Sequence, residues 1–308
     1  RKELLLEEWE TLFKKLSLFK PFILITGGEP LLHPDLPEIL QAIKKNEMNC
    51  ELLTNATIVQ ADWIKRIVDI GLDKLRFSID GTADIHEKYR GNSGSYKMTE
   101  KFIDYLMDYK KTISSSFPKL YMNYLITEQN SGVLKETIDY WMSKGVDGIT
   151  LLNVFLKPKN LIDSHNTQYL GTEFYLKRNF DNDYHDYLPF SQKFNLDRFY
   201  DEIIALKKIY KNKLFLHPNL SKKDFITYFK NPEQRIGNFN KCYMPWKMLE
   251  INPYGDAIFS MRCFKANMGS LVNNGIKEIW NSDRFRNIRK ELIKKGCFDI
   301  CNRCGGIF

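Results

Sequence analysis

The sequence predicts an α/β fold built on a parallel β-sheet, followed by a small cysteine-rich domain at the C-terminal end. Two observations support this prediction. Between residues 1 and 154, short apolar runs alternate with segments whose apolar residues recur at helical spacing, and this alternation is typical of βα units. Five of the 6 cysteines lie from Cys242 onward, so the end of the chain differs in character from the rest.

The predicted sheet follows an amphipathic helix whose apolar face carries Leu5, Trp9, Leu12 and Leu16. A continuous apolar run at residues 22–25 then predicts a buried strand. The same alternation predicts further strands at residues 51–54, 75–79, 120–126 and 149–154, with helices between them. Gly71 fits the left-handed position that ends one of these helices. The prediction is five strands, one fewer than in a six-stranded partial barrel.

The remainder of the chain is predicted to form a bridging region and a small C-terminal domain. Residues 155–240 show a less regular pattern, apart from a helix at 197–210 and a short apolar run at 214–217. From residue 241, two short strands are expected around a Pro-Tyr-Gly turn. The helix after them carries Ile279, Trp280, Phe285, Ile288 and Leu292. The predicted domains are therefore residues 1–154, 155–240 and 241–308.

The composition indicates an ordered globular protein. Hydrophobic residues make up 43% of the 308 residues, which is enough to bury a large core. No stretch approaches the roughly 18 uninterrupted apolar residues of a membrane span, and no secretory leader opens the chain. We therefore expect a cytoplasmic protein with no membrane partner, whose natural start lies upstream of Arg1. The net charge of +8 comes from lysines interleaved with acids, so nucleic acid is not expected as a partner.

Polar residues follow three of the predicted strands at the point where each strand ends. The first strand is followed by Thr-Gly-Gly-Glu-Pro at residues 26–30, the second by Thr54 and Asn55, and the third by Ser78 and Asp80. Because the carboxyl ends of parallel strands meet at one edge of a sheet, these residues should line one rim. Ordinary turn chemistry explains Thr54 and Asn55 equally well. The glycine pair differs, since glycine lets a backbone approach a ligand and the glutamate beside it can accept hydrogen bonds from an ammonium group.

The segment GGEPLLHPDL at residues 27–36 resembles the Gly-Gly-Glu-Pro motif of the radical S-adenosylmethionine (radical SAM) superfamily. FSIDG at 77–81 and HEKYRG at 86–91 are similar to a later strand of that family and to its trailing Arg-Gly. The similarity covers residues 24–130 and resumes at residue 242. It implies that the methionine part of S-adenosylmethionine binds to Gly27, Gly28 and Glu29. Weaker candidates, near the ribose, are Thr54, Asn55, Ser78 and Asp80.

The superfamily holds its catalytic [4Fe–4S] cluster with three cysteines in a C-x3-C-x2-C loop, which is expected upstream of Arg1. Cys297, Cys301 and Cys304 have the same spacing. The residues before them, GIKEIWNSDRFRNIRKEL, instead resemble the segment that precedes the terminal cysteines of SPASM and twitch extensions. Such extensions carry auxiliary iron–sulfur clusters, so we assign these cysteines to an auxiliary site.

The resemblance implies an auxiliary [4Fe–4S] cluster whose four ligands are Cys242, Cys263, Cys301 and Cys304. The family's usual second cysteine falls on Ser260 here, so Cys263 is displaced and Cys297 is an alternative ligand. A zinc site built from four cysteines stays open as the other interpretation of this pattern.

Other candidate residues are expected to have structural roles. Cys50 precedes an apolar strand and is predicted to be a small buried residue. His86 and Arg90, just after the third strand, are predicted to serve the surface or the scaffold rather than to bind ligand.

The resemblance implies a partial (β/α)6 TIM-like barrel without its first strand, joined to a SPASM- or twitch-like domain. It implies an enzyme that cleaves S-adenosylmethionine reductively and abstracts a hydrogen from a ribosomally made peptide or a protein side chain. An electron donor such as flavodoxin or ferredoxin is the implied partner. Two alternatives remain open. One is a radical enzyme acting on a sugar, nucleotide or alcohol, and the other is a non-catalytic metal-binding module.

Overall fold

A computed structural model describes the chain at residues 2–154, 159–172, 174, 190–231, 233–234, 236, 241–259, 266–298, 301 and 303–304. The chain separates into two compact units. The sheet unit comprises residues 5–152 and 202–216. The cysteine unit comprises residues 1–4, 153–201 and 217–308. Part of the predicted bridging region, residues 202–216, thus falls within the sheet unit.

A six-stranded sheet, with its strands in chain order, forms the frame of the sheet unit in the described part of the chain. The strands are β1 (Ile23–Ile25), β2 (Cys50–Thr54), β3 (Lys74–Ser78), β4 (Lys119–Leu125), β5 (Gly148–Leu152) and β6 (Leu214–His217). The first five pair in parallel with their neighbours. This arrangement confirms the predicted α/β class with a parallel sheet.

The sixth strand corrects the predicted count of five. The short apolar run at residues 214–217 lies in the predicted bridging region, but it forms β6 beside β5. Leu214 and Leu216 are buried and the residue between them, Phe215, is exposed, as expected for a strand. A four-residue run has too little periodicity for sequence alone to assign it to a sheet more than sixty residues away in the chain.

Helices follow the strands and cover one face of the sheet. They are α1 (Leu6–Leu16), α2 (Leu36–Lys45), α3 (Ala61–Asp69), α4 (Ala83–Arg90), α5 (Ser95–Thr112), α6 (Glu128–Ser131) and α7 (Leu134–Ser143). Gly71 has a φ of 76°, which matches the left-handed position predicted at the end of α3.

The two faces of the sheet differ because successive strand residues point to opposite sides. The residues buried on the helix-covered face, each at most 1% exposed, are Leu52, Leu75, Phe77, Leu120, Met122, Tyr124, Ile149 and Leu151. The ring of Phe77 lies 5.0 Å from that of Trp141 on α7. The alternate residues of β3 and β4, among them Arg76 and Asn123, are only half-buried. The sheet unit therefore has an apolar helix-covered face and an accessible face that carries polar groups.

The cysteine unit contains a three-stranded antiparallel sheet of β7 (Glu250–Ile251), β8 (Asp256–Ile258) and β9 (Asn267–Ser270). The helices that complete the described chain are α8 (Lys159–Gln168), α9 (Leu196–Tyr210), α10 (Lys222–Lys230), α11 (Met244–Lys247), α12 (Ile276–Trp280) and α13 (Asp283–Lys295). The predicted hairpin is confirmed as β7 and β8. Gly255 in its turn has a φ of 77°, and β9 is an additional strand.

The predicted C-terminal helix is divided in two. Its apolar residues continue at helical spacing through the break between α12 and α13, which is why the sequence indicated one helix. The Ser282 hydroxyl accepts a hydrogen bond from the backbone N–H of Phe285 at 3.4 Å and begins α13. Among the described residues, no helix is both long and apolar enough to cross a bilayer.

Candidate functional site

The loop after β1 exposes two glycines, Gly27 and Gly28, at the carboxyl edge of the sheet. A Cβ built on either glycine would meet no atom within 4 Å, and neither residue has a left-handed φ. Folding therefore does not require glycine at these two positions. Open space beside a bare backbone fits a loop that a ligand approaches closely.

Glu29 is held in place by three donors. Its Oε1 accepts hydrogen bonds from the Thr54 hydroxyl at 2.6 Å and from the Leu31 backbone N–H at 3.0 Å. Its Oε2 accepts one from the Asn55 backbone N–H at 2.8 Å. A carboxylate has about four acceptor positions, so three donors leave capacity for one more. A fixed carboxylate of this kind can accept a hydrogen bond from an ammonium group.

The loop after β2 is tied to the same carboxylate and to its own backbone. The Thr54 hydroxyl accepts a hydrogen bond from Ala56 N–H at 2.9 Å, and Ala56 adopts a positive φ of 55°. The Asn55 side-chain oxygen accepts hydrogen bonds from the N–H and the hydroxyl of Thr57, at 2.9 and 2.7 Å. The Thr99 hydroxyl donates to the Asn55 carbonyl at 2.8 Å. The structure thus brings Glu29, Thr54 and Asn55 together.

The third strand leads into a separate network centred on Asp80, which is 2% exposed. Its Oδ2 pairs with the Arg90 guanidinium at 2.6 Å, and its Oδ1 accepts a hydrogen bond from Leu125 N–H at 3.2 Å. The Asp80 N–H donates to Nδ1 of His86 at 3.1 Å. Asp80 is the buried member of this ion pair, whereas the Arg90 side chain is 40% exposed. These contacts are those expected of scaffold residues, so the predicted roles of His86 and Arg90 stay predictions that agree with the structure. Ser78 ends β3 just before this network.

Burial lowers the pKa of His86, because the protonated ring would lose its hydration, while the Asp80 charge acts in the opposite direction. The ring is therefore neutral at neutral pH. Since Nδ1 accepts the Asp80 N–H, the ring proton of the neutral form resides on Nε2.

Asn130 is a buried residue of this rim that the sequence did not single out. Its amide nitrogen donates to the carbonyls of Asp80 at 3.0 Å and Leu125 at 2.7 Å, and its amide oxygen accepts from Thr127 N–H at 2.9 Å. It therefore joins the loops that follow β3 and β4. The available signal was an asparagine four residues after a predicted strand, but polar residues at such positions are common in helix caps.

A polar layer crosses the accessible face of the sheet. Arg76 on β3 pairs through Nε with Glu51 on β2, a residue that is only 7% exposed. Its Nη1 donates to the side-chain oxygens of Asn123 and Thr150, each at 3.3 Å. The ring of Tyr121 lies 5.1 Å from the guanidinium. Arg76 lies two residues before Ser78 and on the same face of β3. The sequence did not reveal this polar layer because its members are distributed over four strands.

Asn153, in the cysteine unit, directly follows β5. It is 4% exposed, and neither of its amide atoms has a hydrogen-bond partner among the described residues. An unpaired buried polar group costs about 1–3 kcal/mol, which makes this amide a candidate contact for water or a ligand. Sequence reasoning missed Asn153 because it treated the position as the end of a strand.

The cysteine unit brings three thiols near one another. The Cys242 N–H donates to the carbonyl of Gly296, the residue before Cys297, at 3.3 Å. Burial raises the pKa of the Cys242 thiol, and the charges of Cys304 and Cys297 raise it further. The Cys301 N–H donates to the Phe298 carbonyl, and Cys304 N–H to the Cys301 carbonyl, each at 2.9 Å.

These thiols match the donor chemistry of an iron–sulfur cluster. Among the described residues, however, no three His, Cys, Asp or Glu side chains are arranged to hold a metal ion. Cys263 and Ser260 lie outside the described residues, so the choice between Cys263 and Cys297 stays a prediction. Cys50 is separate from this group, in the sheet unit. It is fully buried, and burial raises its thiol pKa to about 12, which fits the predicted small buried residue.

Two family models match the chain. The model of the radical SAM superfamily matches residues 1–154, and that of the SPASM iron–sulfur cluster-binding domain matches residues 242–305. The chain belongs to the radical SAM superfamily and carries a SPASM domain. These two domains imply S-adenosylmethionine and [4Fe–4S] clusters as cofactors, and the superfamily relatives are enzymes.

Curated relatives match shorter parts of the chain. An Fe-coproporphyrin III synthase of Methanosarcina barkeri is 34% identical over 95 residues, which is 30% of this chain and 24% of that protein. A probable GTP 3′,8-cyclase of Methanococcus maripaludis is 27% identical over 176 residues, which is 57% of this chain and 54% of that protein. The chain thus spans about a quarter to about half the length of these relatives.

Solved structures share the fold along nearly the whole chain. Streptococcus suis SuiB bound to S-adenosylmethionine has a TM-score of 0.63 at 14% identity, covering 98% of this chain and 66% of SuiB. The enzyme anSMEcpe with bound AdoMet has a TM-score of 0.59 at 15% identity, covering 96% of this chain and 79% of that one. These similarities agree with the predicted partial TIM-like barrel followed by a SPASM domain.

Proposed function

We propose that this chain is the greater part of a radical SAM enzyme that modifies a side chain of a ribosomally synthesised peptide or of a protein. The observation that carries the proposal is the structural similarity to SuiB, which extends over 98% of this chain. SuiB has also been solved with the precursor peptide SuiA bound. The neighbour anSMEcpe has been solved with a peptide as well, Kp18Cys.

In this proposal, the Glu29 carboxylate accepts a hydrogen bond from the ammonium group of S-adenosylmethionine. Gly27 and Gly28 let the cofactor's methionine part approach the backbone, because nothing occupies the space where their side chains would be. Thr54 and Asn55 keep the carboxylate fixed through the contacts at 2.6 and 2.8 Å. A carboxylate that is already oriented loses less entropy when its ligand binds.

The loops after β3 and β4 complete the proposed rim. Ser78 and Asp80 are proposed to lie near the ribose. The Asp80 carboxylate is also held by Arg90 and by Leu125 N–H, so its position is set before any ligand binds. When bound, S-adenosylmethionine and a reduced [4Fe–4S] cluster would supply one-electron radical chemistry, and Gly27, Gly28 and Glu29 would hold and orient the methionine part of the cofactor.

The auxiliary cluster is proposed to use Cys242, Cys301 and Cys304, with either Cys263 or Cys297 as the fourth ligand. The proximity of Cys297 to Cys242 supports including it in the test. A flavodoxin or a ferredoxin is the proposed electron donor.

A small-molecule substrate is the second candidate. The curated relatives include haem and GTP enzymes, and their names favour a tetrapyrrole or a nucleotide as the alternative to a peptide.

The test is anaerobic incubation of the full-length protein with S-adenosylmethionine and dithionite, with 5′-deoxyadenosine measured by chromatography. Candidate substrates are added singly: small peptides encoded beside the gene, GTP, and iron coproporphyrin. A peptide mass change that depends on cofactor cleavage supports the proposal. Turnover of GTP or porphyrin alone would favour the second candidate, and no cleavage by an iron-loaded protein would refute the enzymatic proposal.

A Glu47→Gln variant is the matched control for a Glu29→Gln variant. Glu47 is an exposed glutamate in the same unit that pairs with Lys20 at 2.6 Å, remote from the rim in its contacts. We expect Glu47→Gln to leave 5′-deoxyadenosine formation unchanged and Glu29→Gln to reduce it.

A further inference from the structure

Arg76 on β3 is at the centre of the polar layer that crosses the accessible face of the sheet. Its Nε pairs with Glu51, and its Nη1 donates to the side-chain oxygens of Asn123 and Thr150, each at 3.3 Å. Arg76, Asn123 and Thr150 are each half-buried, and all of them belong to the sheet unit. These side chains are therefore held together on a face that a ligand can reach.

The polar layer has more hydrogen-bond donors than its own contacts use. Arginine, asparagine and threonine side chains together carry more N–H and O–H groups than the contacts within the layer require. Among the residues that the structure describes, Nη2 of Arg76, the amide nitrogen of Asn123 and the hydroxyl hydrogen of Thr150 have no acceptor. The Asn123 oxygen faces the guanidinium, because a guanidinium can only donate, so the amide nitrogen stays available to another partner.

Positive charge exceeds negative charge in and beside the polar layer. Lys74 lies two residues before Arg76 on the same face of β3. Its Nζ lies 5.2 Å from the ring centre of Phe22 and 5.7 Å from that of Tyr121, and no carboxylate in the described part of the chain lies within ion-pair distance of it. Glu51 offsets the charge of Arg76 and leaves that of Lys74. A further anionic group is therefore favoured at this place.

The guanidinium of Arg76 is oriented before any ligand binds. Glu51 holds it at Nε, and the ring centre of Tyr121 lies 5.1 Å from it. Gly148 on β5 makes room for that ring, since a Cβ at this position would lie 3.1 Å from a ring carbon of Tyr121. A cation whose orientation is set in advance loses less entropy when an anion binds.

The register of the sheet brings the unused donors close to the rim. Ser78 is opposite Asn123 on β4, and Asn123 is opposite Thr150 on β5. Opposite residues of neighbouring strands point to the same face, which here is also the face of Arg76. The donors of Asn123 and Thr150 are therefore level with Ser78, a residue of the proposed cofactor rim.

We propose that the polar layer binds a carboxylate of the substrate, with Arg76, Asn123 and Thr150 as its donors. A carboxylate has two oxygens that can accept from several donors at once, and its single negative charge matches the excess positive charge of this face. The inference rests on the proposed peptide or protein substrate for the source of the carboxylate, which is an acidic side chain or a free C-terminus. The contact fixes one end of the substrate beside the rim.

The test is a ligand-observed nuclear magnetic resonance titration of the full-length protein, which detects weak binding and requires no cofactor cleavage. The probes are the methylamides of N-acetylglutamate and N-acetylglutamine, together with N-acetylalanine, which has a free terminal carboxylate. We expect at least one carboxylate probe to bind about tenfold more tightly than the glutamine probe, because hydrogen bonds to a charged group are stronger. Preference for the glutamate probe identifies an acidic side chain as the source, and preference for N-acetylalanine identifies a C-terminus.

Arg76→Gln should remove the preference for a carboxylate, because it removes the charge and the Nη donors. Arg66→Gln is the matched control, since Arg66 is an arginine of α3 in the same unit that pairs with Glu38 at 2.5 Å and is not part of the polar layer. It should keep the wild-type preference. Asn123→Asp is a second variant, whose own carboxylate would accept from Arg76 in place of the amide oxygen. It should fold and should lose binding of the carboxylate probes.

The proposal is overturned if the wild-type protein binds neither carboxylate probe more tightly than the glutamine probe. It is also overturned if Arg76→Gln keeps the preference, or if Arg66→Gln loses it to the same extent. If Arg76→Gln does not fold, unchanged carboxylate binding by Asn123→Asp overturns the proposal. Formation of 5′-deoxyadenosine is measured separately, so failure of carboxylate binding is distinguishable from failure of the enzymatic proposal.

Discussion

Replacing Glu29 with glutamine removes one negative charge from the proposed cofactor site and keeps the shape of the side chain. The amide oxygen can still accept hydrogen bonds from the Thr54 hydroxyl and Leu31 N–H. The amide nitrogen would replace Oε2, which now accepts the Asn55 N–H at 2.8 Å, and two donors would then face each other. The substitution therefore changes both ligand binding and the loop itself.

The expected magnitudes follow from these contacts. A hydrogen bond to a charged group contributes about 1.5–3 kcal/mol, so loss of the ammonium contact should weaken binding. Since about 1.4 kcal/mol corresponds to tenfold in affinity, the expected loss is about 10- to 150-fold. Because Asn55 is exposed, its N–H can donate to water instead, so the free energy of unfolding should fall by only about 0.5–1.5 kcal/mol.

Two ligands separate these effects in calorimetric titrations of the full-length protein. S-adenosylhomocysteine keeps the amino and carboxylate groups, whereas methylthioadenosine lacks both. We expect Glu29→Gln to weaken binding of the first and to leave binding of the second unchanged. Thr54→Val is the control, because it removes a 2.6 Å hydrogen bond to Glu29 but keeps the carboxylate. It should destabilise the loop with a smaller effect on affinity.

Two results would refute the assignment of Glu29 to the ammonium group. Equal weakening of both ligands would mean that Glu29 acts only by shaping the loop. Unchanged affinity for S-adenosylhomocysteine would mean that this carboxylate does not contact the ligand.

Two further predictions concern glycine and pH. Gly28→Ala should keep wild-type thermal stability, since its Cβ would meet no atom within 4 Å, but it should lose cofactor affinity. Gly81→Ala should be strongly destabilised, because Gly81 has a φ of 148° and the new Cβ would lie 2.7 Å from Ile85. Equal melting temperatures in thermal denaturation would contradict this contrast. Burial lowers the pKa of His86, so the native state favours the neutral imidazole ring. The neutral ring contributes stability above the pKa of about 6.5 that His86 has in the unfolded chain. This stability is lost as the pH falls through the lower pKa of the folded state. Urea unfolding should show the free energy of unfolding decreasing between pH 7.5 and 5, and this decrease should be smaller in His86→Gln. An equal pH dependence in the variant and the wild type would contradict the role of His86.

The sequence was sufficient for the parts of the fold that local patterns encode. Apolar runs and helical spacing predicted five strands, and the Gly-Gly-Glu-Pro segment located the Glu29 loop. The sixth strand, Leu214–His217, was not predictable, because its assignment depends on pairing with a distant segment rather than on its own four residues.

The structure brings some of the predicted site residues into contact and places others in a separate network. Glu29, Thr54 and Asn55 share hydrogen bonds, as expected for neighbouring strand ends. Asp80 instead joins a network with Arg90 whose geometry depends on how α4 is oriented, and spacing along the chain does not specify this. Arg76 could not have been found by pattern either, since its partners are distributed over three other strands.

The position of β1 has a practical consequence for handling the protein. β1 is one of the two edge strands of the described sheet, and it is not the buried strand that the apolar run predicted: Leu24 in β1 and Phe22 just before it are 47% and 49% exposed. An edge strand with exposed apolar residues offers unpaired backbone groups and apolar surface, and both can bind another extended chain. We therefore expect the 308-residue chain to self-associate through this edge as its concentration rises. Dilute samples at moderate ionic strength suit its study in solution.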